Sequence, residues 1–154
     1  MEYLEPELEE RISKDQDGLQ VVVFKLGIEE YAVEILYVQE IKKLLTITRV
    51  PKADHYIEGV VNLRGTIIPI INLHTRFSLQ PQGDEEDKRI IVFQINDLKV
   101  GVIVDVVLEV VHLQKKDIDE ATKSYESTNA DHIMGVIKKD GRLLILLDLN
   151  KILD

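Results

Sequence analysis

Residues 24–41 and 57–73 recur further along the chain. Displaced by 76 positions, Ile57–Leu73 falls on Ile133–Leu149. Five of the 17 positions are identical: Ile57, Gly59, Val60, Gly65 and Leu73. Five more exchange one aliphatic residue for another. Displaced by 69 positions, Phe24–Ile41 falls on Phe93–Val110. Phe24, Val33, Val38 and Glu40 return as Phe93, Val102, Val107 and Glu109, and Leu26, Tyr31, Ile35, Tyr37 and Ile41 find apolar counterparts. A supersecondary unit used twice is the physical meaning of such a pattern. A unit of about 60 residues buries only about 60% of the surface its unfolded chain exposes and is marginal alone. The two units are therefore expected to share one core.

Each unit reads as β-structure. Val22, Phe24 and Leu26 alternate with Val23 and Lys25. The polar turn Gly27-Ile28-Glu29-Glu30 follows, and then Tyr31, Val33 and Ile35 at period two predict a hairpin. Tyr37, Val38 and Ile41 are expected to prolong it towards Lys42 and Lys43. Pro51 interrupts the next extended stretch. The aliphatic runs Ile57–Asn62 and Thr66–Ile71 flank a turn ending in Gly65 and predict a second hairpin. Asn72 stands where its side chain can cap a short helix carrying Leu73, Phe77 and Leu79. Gln80–Lys88 contains Pro, Gly and a charge run and predicts a linker. Polar residues 114–131 predict a surface loop with a helical turn near Asp117–Ala121. Gly18 opens the globular part, residues 18–154. Its repeat units run from about 20 to 79 and from 89 to 154, with boundaries that could interleave. Residues 1–17, with seven acids and two bases, read as a solvated acidic tail. Short strands at this spacing suggest small barrels or a sandwich.

Composition narrows the function. The chain holds 19 Ile, 17 Val and 19 Leu among 154 residues, enough for a core without staples. Acids outnumber bases 28 to 19, for a net charge of −9, and aromatics are three Phe and five Tyr. That excludes the basic, aromatic-lined surface of a nucleic-acid binder. It also excludes a polybasic membrane anchor. Cysteine is absent, which removes disulfides, thiol nucleophiles and thiolate metal sites. Met1-Glu2-Tyr3 opens an acidic stretch, so no secretory leader is expected. The apolar runs reach about five residues against the roughly 20 that span a bilayer. The expectation is a soluble, intracellular, β-rich protein.

Catalytic patterns are missing too. His55, His74, His112 and His132 are not spaced as metal ligands on one element. There is no nucleophile elbow, dinucleotide fingerprint or phosphate loop. Carboxylate runs such as Glu29-Glu30 and Asp84-Glu85-Glu86 fall in turns. No catalytic residue, cofactor site or metal site is expected. One contrast between the repeats stands out instead. The second unit turns at Lys138-Lys139-Asp140-Gly141, an ordinary hairpin solution. The first has Asn62-Leu63-Arg64-Gly65 there, placing an apolar and a fork-shaped cationic residue at an exposed turn that needs neither. Packing of Leu63 and a local partner for Arg64 would explain them structurally; a binding role would explain them equally.

These residues resemble the CheW family. The resemblance rests on Val50-Pro51, on Ile57-Glu58-Gly59-Val60-Val61-Asn62-Leu63-Arg64-Gly65, and on Ile67-Ile68-Pro69-Ile70-Ile71-Asn72-Leu73. Tyr31–Ile35, Val38–Ile41, Ile133–Val136 and Leu146–Leu149 match in order, so that about Gln20–Leu153 is covered. Asn72 departs from the family's usual Asp, and either caps a helix. The resemblance implies an all-β fold of two SH3-like five-stranded barrels around a shared hydrophobic core. It implies a non-enzymatic chemotaxis adaptor, monomeric alone, that joins the cytoplasmic tips of methyl-accepting chemoreceptors to the regulatory domain of the histidine kinase CheA in membrane-associated arrays. A coupling module of a different histidine-kinase pathway is the alternative. Carried over by position, the receptor groove would use Val38, Glu40, Ile41, Gly59, Asn62, Leu63, Arg64 and Gly65, with an ion pair between Glu40 and Arg64. The kinase-facing surface, at the end of the first barrel, would use Gly27, Ile28, Leu44, Leu45 and Ile47.

Overall fold

A computed structural model of the chain describes residues 18–120 and 132–152. The acidic segment 1–17 and most of the polar segment after Glu120 lie outside the described residues.

Eleven strands are described. They are β1 (Gly18–Leu26), β2 (Glu29–Glu34), β3 (Val38–Lys43), β4 (Ile57–Leu63), β5 (Thr66–Ile71), β6 (Arg89–Ile95), β7 (Leu98–Val104), β8 (Val106–Gln114), β9 (Ile118–Glu120), β10 (Ile133–Lys139) and β11 (Arg142–Leu147). Two short helices, α1 (Leu73–Phe77) and α2 (Leu149–Ile152), follow β5 and β11. One sheet has the order β8-β1-β2-β11-β10-β9 and the other β3-β6-β7-β5-β4.

Each sheet is assembled from both repeats. The opening hairpin of the first repeat, β1–β2, pairs with β8 and β11 of the second, and β6–β7 of the second pairs with β3 and β5 of the first. The exchange obeys the repeat residue by residue. Ile70 stands opposite Gly101 in one parallel pair, and their counterparts Leu146 and Ala32 stand opposite each other in the other. Val38 and Glu40 face Phe93 and Val92 across a bulge, and Val107 and Glu109 face Phe24 and Val23 across another. Both barrels close in the same way. Thr48, beyond β3, bridges Val60 of β4, and β9, beyond β8, pairs with β10. The sixth strand of the first sheet is thus the continuation of β8 around a 3-10 turn at Lys115–Asp117.

That turn corrects one expectation. Asp117–Ala121 is not helical over its described part: the 3-10 turn ends at Asp117 and Ile118–Glu120 is extended, because its backbone pairs with Val136 and Gly135. A second correction concerns Tyr37. It does not prolong β2. A 3-10 turn over Ile35–Tyr37 ends that strand, and β3 starts afresh in the other sheet. Asn72 does cap α1, its Oδ1 accepting from the Thr75 amide at 3.1 Å. The helix is shorter than expected because Ser78 turns left-handed at φ 56°, and Leu79 lies beyond it.

The exchange explains the unbroken aliphatic runs. Val21 and Val23 point into one barrel with Ala32, Leu144 and Leu146. Val22, Phe24 and Leu26 point the other way, into a cluster shared with Ile71, Ile91, Phe93 and Val102 of the second sheet. Ile68, Ile70, Ile90 and Val92 fill the second barrel. A strand covered on both faces has no polar alternation. Each fully buried Val, Leu, Ile or Phe contributes roughly 1.5–3 kcal/mol of transfer free energy.

Gly59 is a barrel-closing residue. A Cβ there would stand 2.3 Å from the Thr48 carbonyl oxygen, and its φ is +155°. Its counterpart Gly135 would meet Asp119 O at 2.7 Å. Gly65, by contrast, has open space around it and only its φ of +86° to satisfy. Gly59→Ala is expected to cost at least the roughly 1–3 kcal/mol of a strained backbone, plus the overlap. Gly65→Ala should cost only about 1–2 kcal/mol. Thermal melts in which the two variants lose equal stability, or in which Gly65→Val melts like the parent, would overturn these assignments.

Candidate functional site

The β4–β5 hairpin closes with a two-residue turn. Leu63 pairs with Thr66, and the central residues Arg64 and Gly65 have φ of 52° and 86°. Both positive values match the twist of a tight hairpin. Asn62 Oδ1 accepts the Gly65 amide at 2.9 Å and braces the turn. Arginine is uncommon at the first position, which favours Asn, Asp or Gly, and here it has a consequence. The left-handed backbone aims the Arg64 side chain across the barrel at β3.

Its target is Glu40. The two guanidinium nitrogens Nη1 and Nη2 of Arg64 donate to Oε1 and Oε2 of Glu40, the first at 3.3 Å. A fork-to-fork pair of this kind fixes geometry as well as charge. The partners differ in exposure: the Glu40 side chain is 8% exposed and that of Arg64 66%. Lys42 Nζ adds a second cation 3.6 Å from Glu40 Oε1. Burial pushes the Glu40 carboxyl up, but the Arg64 hydrogen bonds and charge, with the Lys42 charge, outweigh it and hold it below the usual glutamate range.

The other sequence candidates fall into two groups. Asn62, Arg64 and Gly65 are exposed, and Leu63 is half-buried against Val61, Ile68 and Ile90. Val38, Ile41 and Gly59 are buried. Ile41 also lines a groove of about 320 Å³ with Asp87, Arg89 and the run Val106–Val110. These groove residues were not among the sequence candidates. The signal was present nonetheless, since Val106–Val110 are the repeat counterparts of Tyr37–Ile41. The groove is thus lined from both repeats, by five aliphatic residues together with Asp87, Arg89 and Glu109.

The counterpart ion pair is built differently. Glu109, in the place of Glu40, receives Arg142 Nη1 at 2.6 Å, and the same guanidinium bonds Glu30. That arginine comes from a strand, not from the turn, where Asp140 and Gly141 stand. Only the first repeat presents its arginine from an exposed turn.

The five kinase-facing candidates are not brought together in one sheet. Gly27 and Ile28 form the β1–β2 turn, whereas Leu44, Leu45 and Ile47 follow β3 in the other barrel. Ile28 and Leu44 are exposed, and Leu45 and Ile47 pack against the five-stranded barrel's interior. Among the described residues, no three His, Cys, Asp or Glu side chains converge as a metal site. No described helix is long and apolar enough to cross a membrane.

Comparison with known proteins agrees with this architecture. A family model described as the CheW-like domain matches residues 20–154. The chemotaxis protein CheW of Treponema pallidum is 35% identical over 142 residues, covering 90% of this chain and 84% of that protein. The CheW of Helicobacter pylori is 36% identical over 144 residues, covering 92% and 87%. The crystal structure of the scaffolding protein TtCheW from Thermoanaerobacter tengcongensis superposes with a TM-score of 0.79 at 37% identity, covering 85% of this chain and 84% of that one.

Removing Arg64 leaves a shielded carboxylate, but opens it to water from the side the guanidinium covered. Arg64→Ala is therefore expected to lower Tm by no more than roughly 2–4 °C at this size, as for a surface pair. A folded-state pKa below the unfolded one stabilises fully above the unfolded value and is lost as pH falls through the folded value. The stability gap between parent and Arg64→Ala should therefore close on acidification through the glutamate range. A fall beyond about 8 °C, corresponding to more than roughly 2 kcal/mol, or a gap that widens in acid, would contradict this account.

Proposed function

The chain belongs to the CheW family of chemotaxis coupling proteins, and we propose that two of its surfaces serve two different partners. Its role is that of a scaffold, an adaptor in chemotaxis signalling. In the proposed division, the groove beside the Arg64 turn takes the helical tip of a chemoreceptor, and the barrel ends take the regulatory domain of the histidine kinase CheA. The protein performs no chemistry of its own and acts by contact, recruited to receptor arrays at the membrane.

The observation that carries this reading is the exposed, left-handed Arg64 held on a buried Glu40, whose chain neighbour Ile41 lines a groove built from both repeats. A turn of this kind does not require arginine, as Asp140 in the other repeat illustrates. The groove floor of Ile41 and Val106–Val110 suits the apolar face of an amphipathic helix. Arg64, two-thirds exposed although paired, offers its remaining donors to an incoming carbonyl or carboxylate. Docking there touches strands of both sheets at once.

Signalling by such an adaptor is a difference in contact free energy. A receptor state that fits the groove better shifts the assembly towards the matching kinase arrangement, by no more than its differential affinity.

Two titrations test the reading. The parent protein should bind an isolated CheA regulatory domain and, separately, a receptor hairpin fragment, each saturably. Arg64→Ala should weaken the receptor fragment by roughly tenfold or more, as a central interface arginine does, and leave the kinase domain unaffected. Equal loss at both partners would indicate a folding defect and refute the division. No binding of the parent to either would move the protein to another signalling pathway.

A further inference from the structure

Asp105 is a buried carboxylate with an unusual set of neighbours. It links β7 to β8, and its side chain is 2% exposed. Its Oδ2 accepts the Gly27 amide at 2.8 Å and the Gln82 amide at 3.2 Å. His74 Nε2, on α1, stands 2.9 Å from Oδ1, and the His74 side chain is only 7% exposed. The Asp105 amide itself donates to the Lys25 carbonyl at 3.0 Å. One side chain thus hydrogen-bonds the β1–β2 turn and the connector after α1 to the β7–β8 junction, with His74 of α1 in close contact. Taking a carboxylate out of water is costly unless it is paired and hydrogen-bonded.

The object so restrained is Ile28. At 81% exposure it is the most exposed large hydrophobic residue described, at the tip of the turn whose first residue Asp105 holds.

The repeat supplies an internal control. The counterpart of the Gly27-Ile28 turn is Asn96-Asp97, an ordinary polar hairpin tip. The counterpart of Asp105 is Leu36, and that of His74 is Asn150. Barrel closure and strand pairing are the same in both halves, so neither requires the buried carboxylate. The clasp and the apolar tip occur together, in one half only.

We propose that Asp105, backed by His74, is a positioning residue that fixes the Gly27–Ile28 turn and presents Ile28 as a rigid apolar knob. The knob fits a partner offering an apolar socket with a basic rim. Exposed Glu29 flanks the knob, and the connector whose Leu79 and Gln80 pack against Gly27 runs on to Asp84 and Glu86, with Glu85 paired to Lys88; with the chain's net charge of −9 this supplies the charge complementarity. A knob already ordered loses little freedom on binding, which is how preorganisation raises affinity. This inference rests on the kinase-binding reading above and assigns the knob to that partner.

The test is titration of the full chain with the isolated CheA regulatory domain, with amide hydrogen exchange measured on the free protein. Ile28→Ser should weaken binding by roughly tenfold or more without lowering Tm, the behaviour of an interface anchor. Asp105→Asn should weaken it severalfold and speed exchange at the Gly27 and Gln82 amides. In the Ile28→Ser background, Asp105→Asn should weaken it no further, since the clasp acts through the knob. Added salt should weaken the parent's binding. If Asp105→Asn does not fold, His74→Gln, which keeps both amide bonds to Asp105, takes its place with the same direction of effect. The inference is overturned if the parent binds and Ile28→Ser binds equally well. It is also overturned if the clasp variant costs as much with the knob removed as with it present. Failure of the parent to bind the domain at all would instead overturn the kinase reading, and this inference with it.

Discussion

Neither half of the chain can close a barrel by itself. The β1–β2 hairpin finds its neighbours in β8 and β11, and β6–β7 finds its neighbours in β3 and β5. Two of those contacts are parallel, β2 with β11 and β5 with β7. A parallel pair demands a long crossover between its strands: β5 reaches β7 through α1 and β6 of its own sheet, whereas the path from β2 to β11 passes through the other barrel. Every later feature depends on this exchange. It covers strands such as β1 and β11 on both faces, places Phe24 and Phe93 in one shared cluster, and lays β3 and β8 beside a common groove. The cost is loop closure over long stretches of chain, which grows only slowly with length.

The repeat made much of this legible. Offsets of 69 and 76 predicted hairpins over the right residues, and Asn72 was readable as a cap because its spacing to Thr75 is local. What stayed hidden was non-local. Nothing in the run from Tyr31 to Lys43 says that Ile35–Tyr37 breaks it and sends β3 into another sheet, since both strands are equally apolar. The Val106–Val110 wall was hidden for the same reason: it faces Ile41 only after the sheets assemble. The clasp on Asp105 was invisible because its partners, Gly27, His74 and Gln82, have no sequence relation to it. The Glu40–Arg64 pair, in contrast, was expected through the family resemblance, not from the spacing of 24 residues between them.

The two arginine–glutamate pairs show how small the stabilising role of the exposed one is. Arg142 lies on a strand, bonds two carboxylates and belongs to the barrel's outer face. Arg64 bonds one buried carboxylate from a turn that puts it in a left-handed conformation. Left-handed backbone is unfavourable at a non-glycine residue, and a largely exposed pair contributes little to offset it. Stability therefore does not explain the placement. What remains is geometry: a guanidinium held at a defined place beside the groove, with donors to spare.

Interiors of this density are stiff, and the shared cluster spans both sheets. A helix lodged against Ile41 and Val107 presses on β3 and β8 together, one strand from each barrel. Neither barrel can yield internally without opening voids in its own close-packed layer. The groove wall of β8 and the Ile28 turn also meet at one place in the chain, since Asp105, immediately before β8, holds the Gly27 amide.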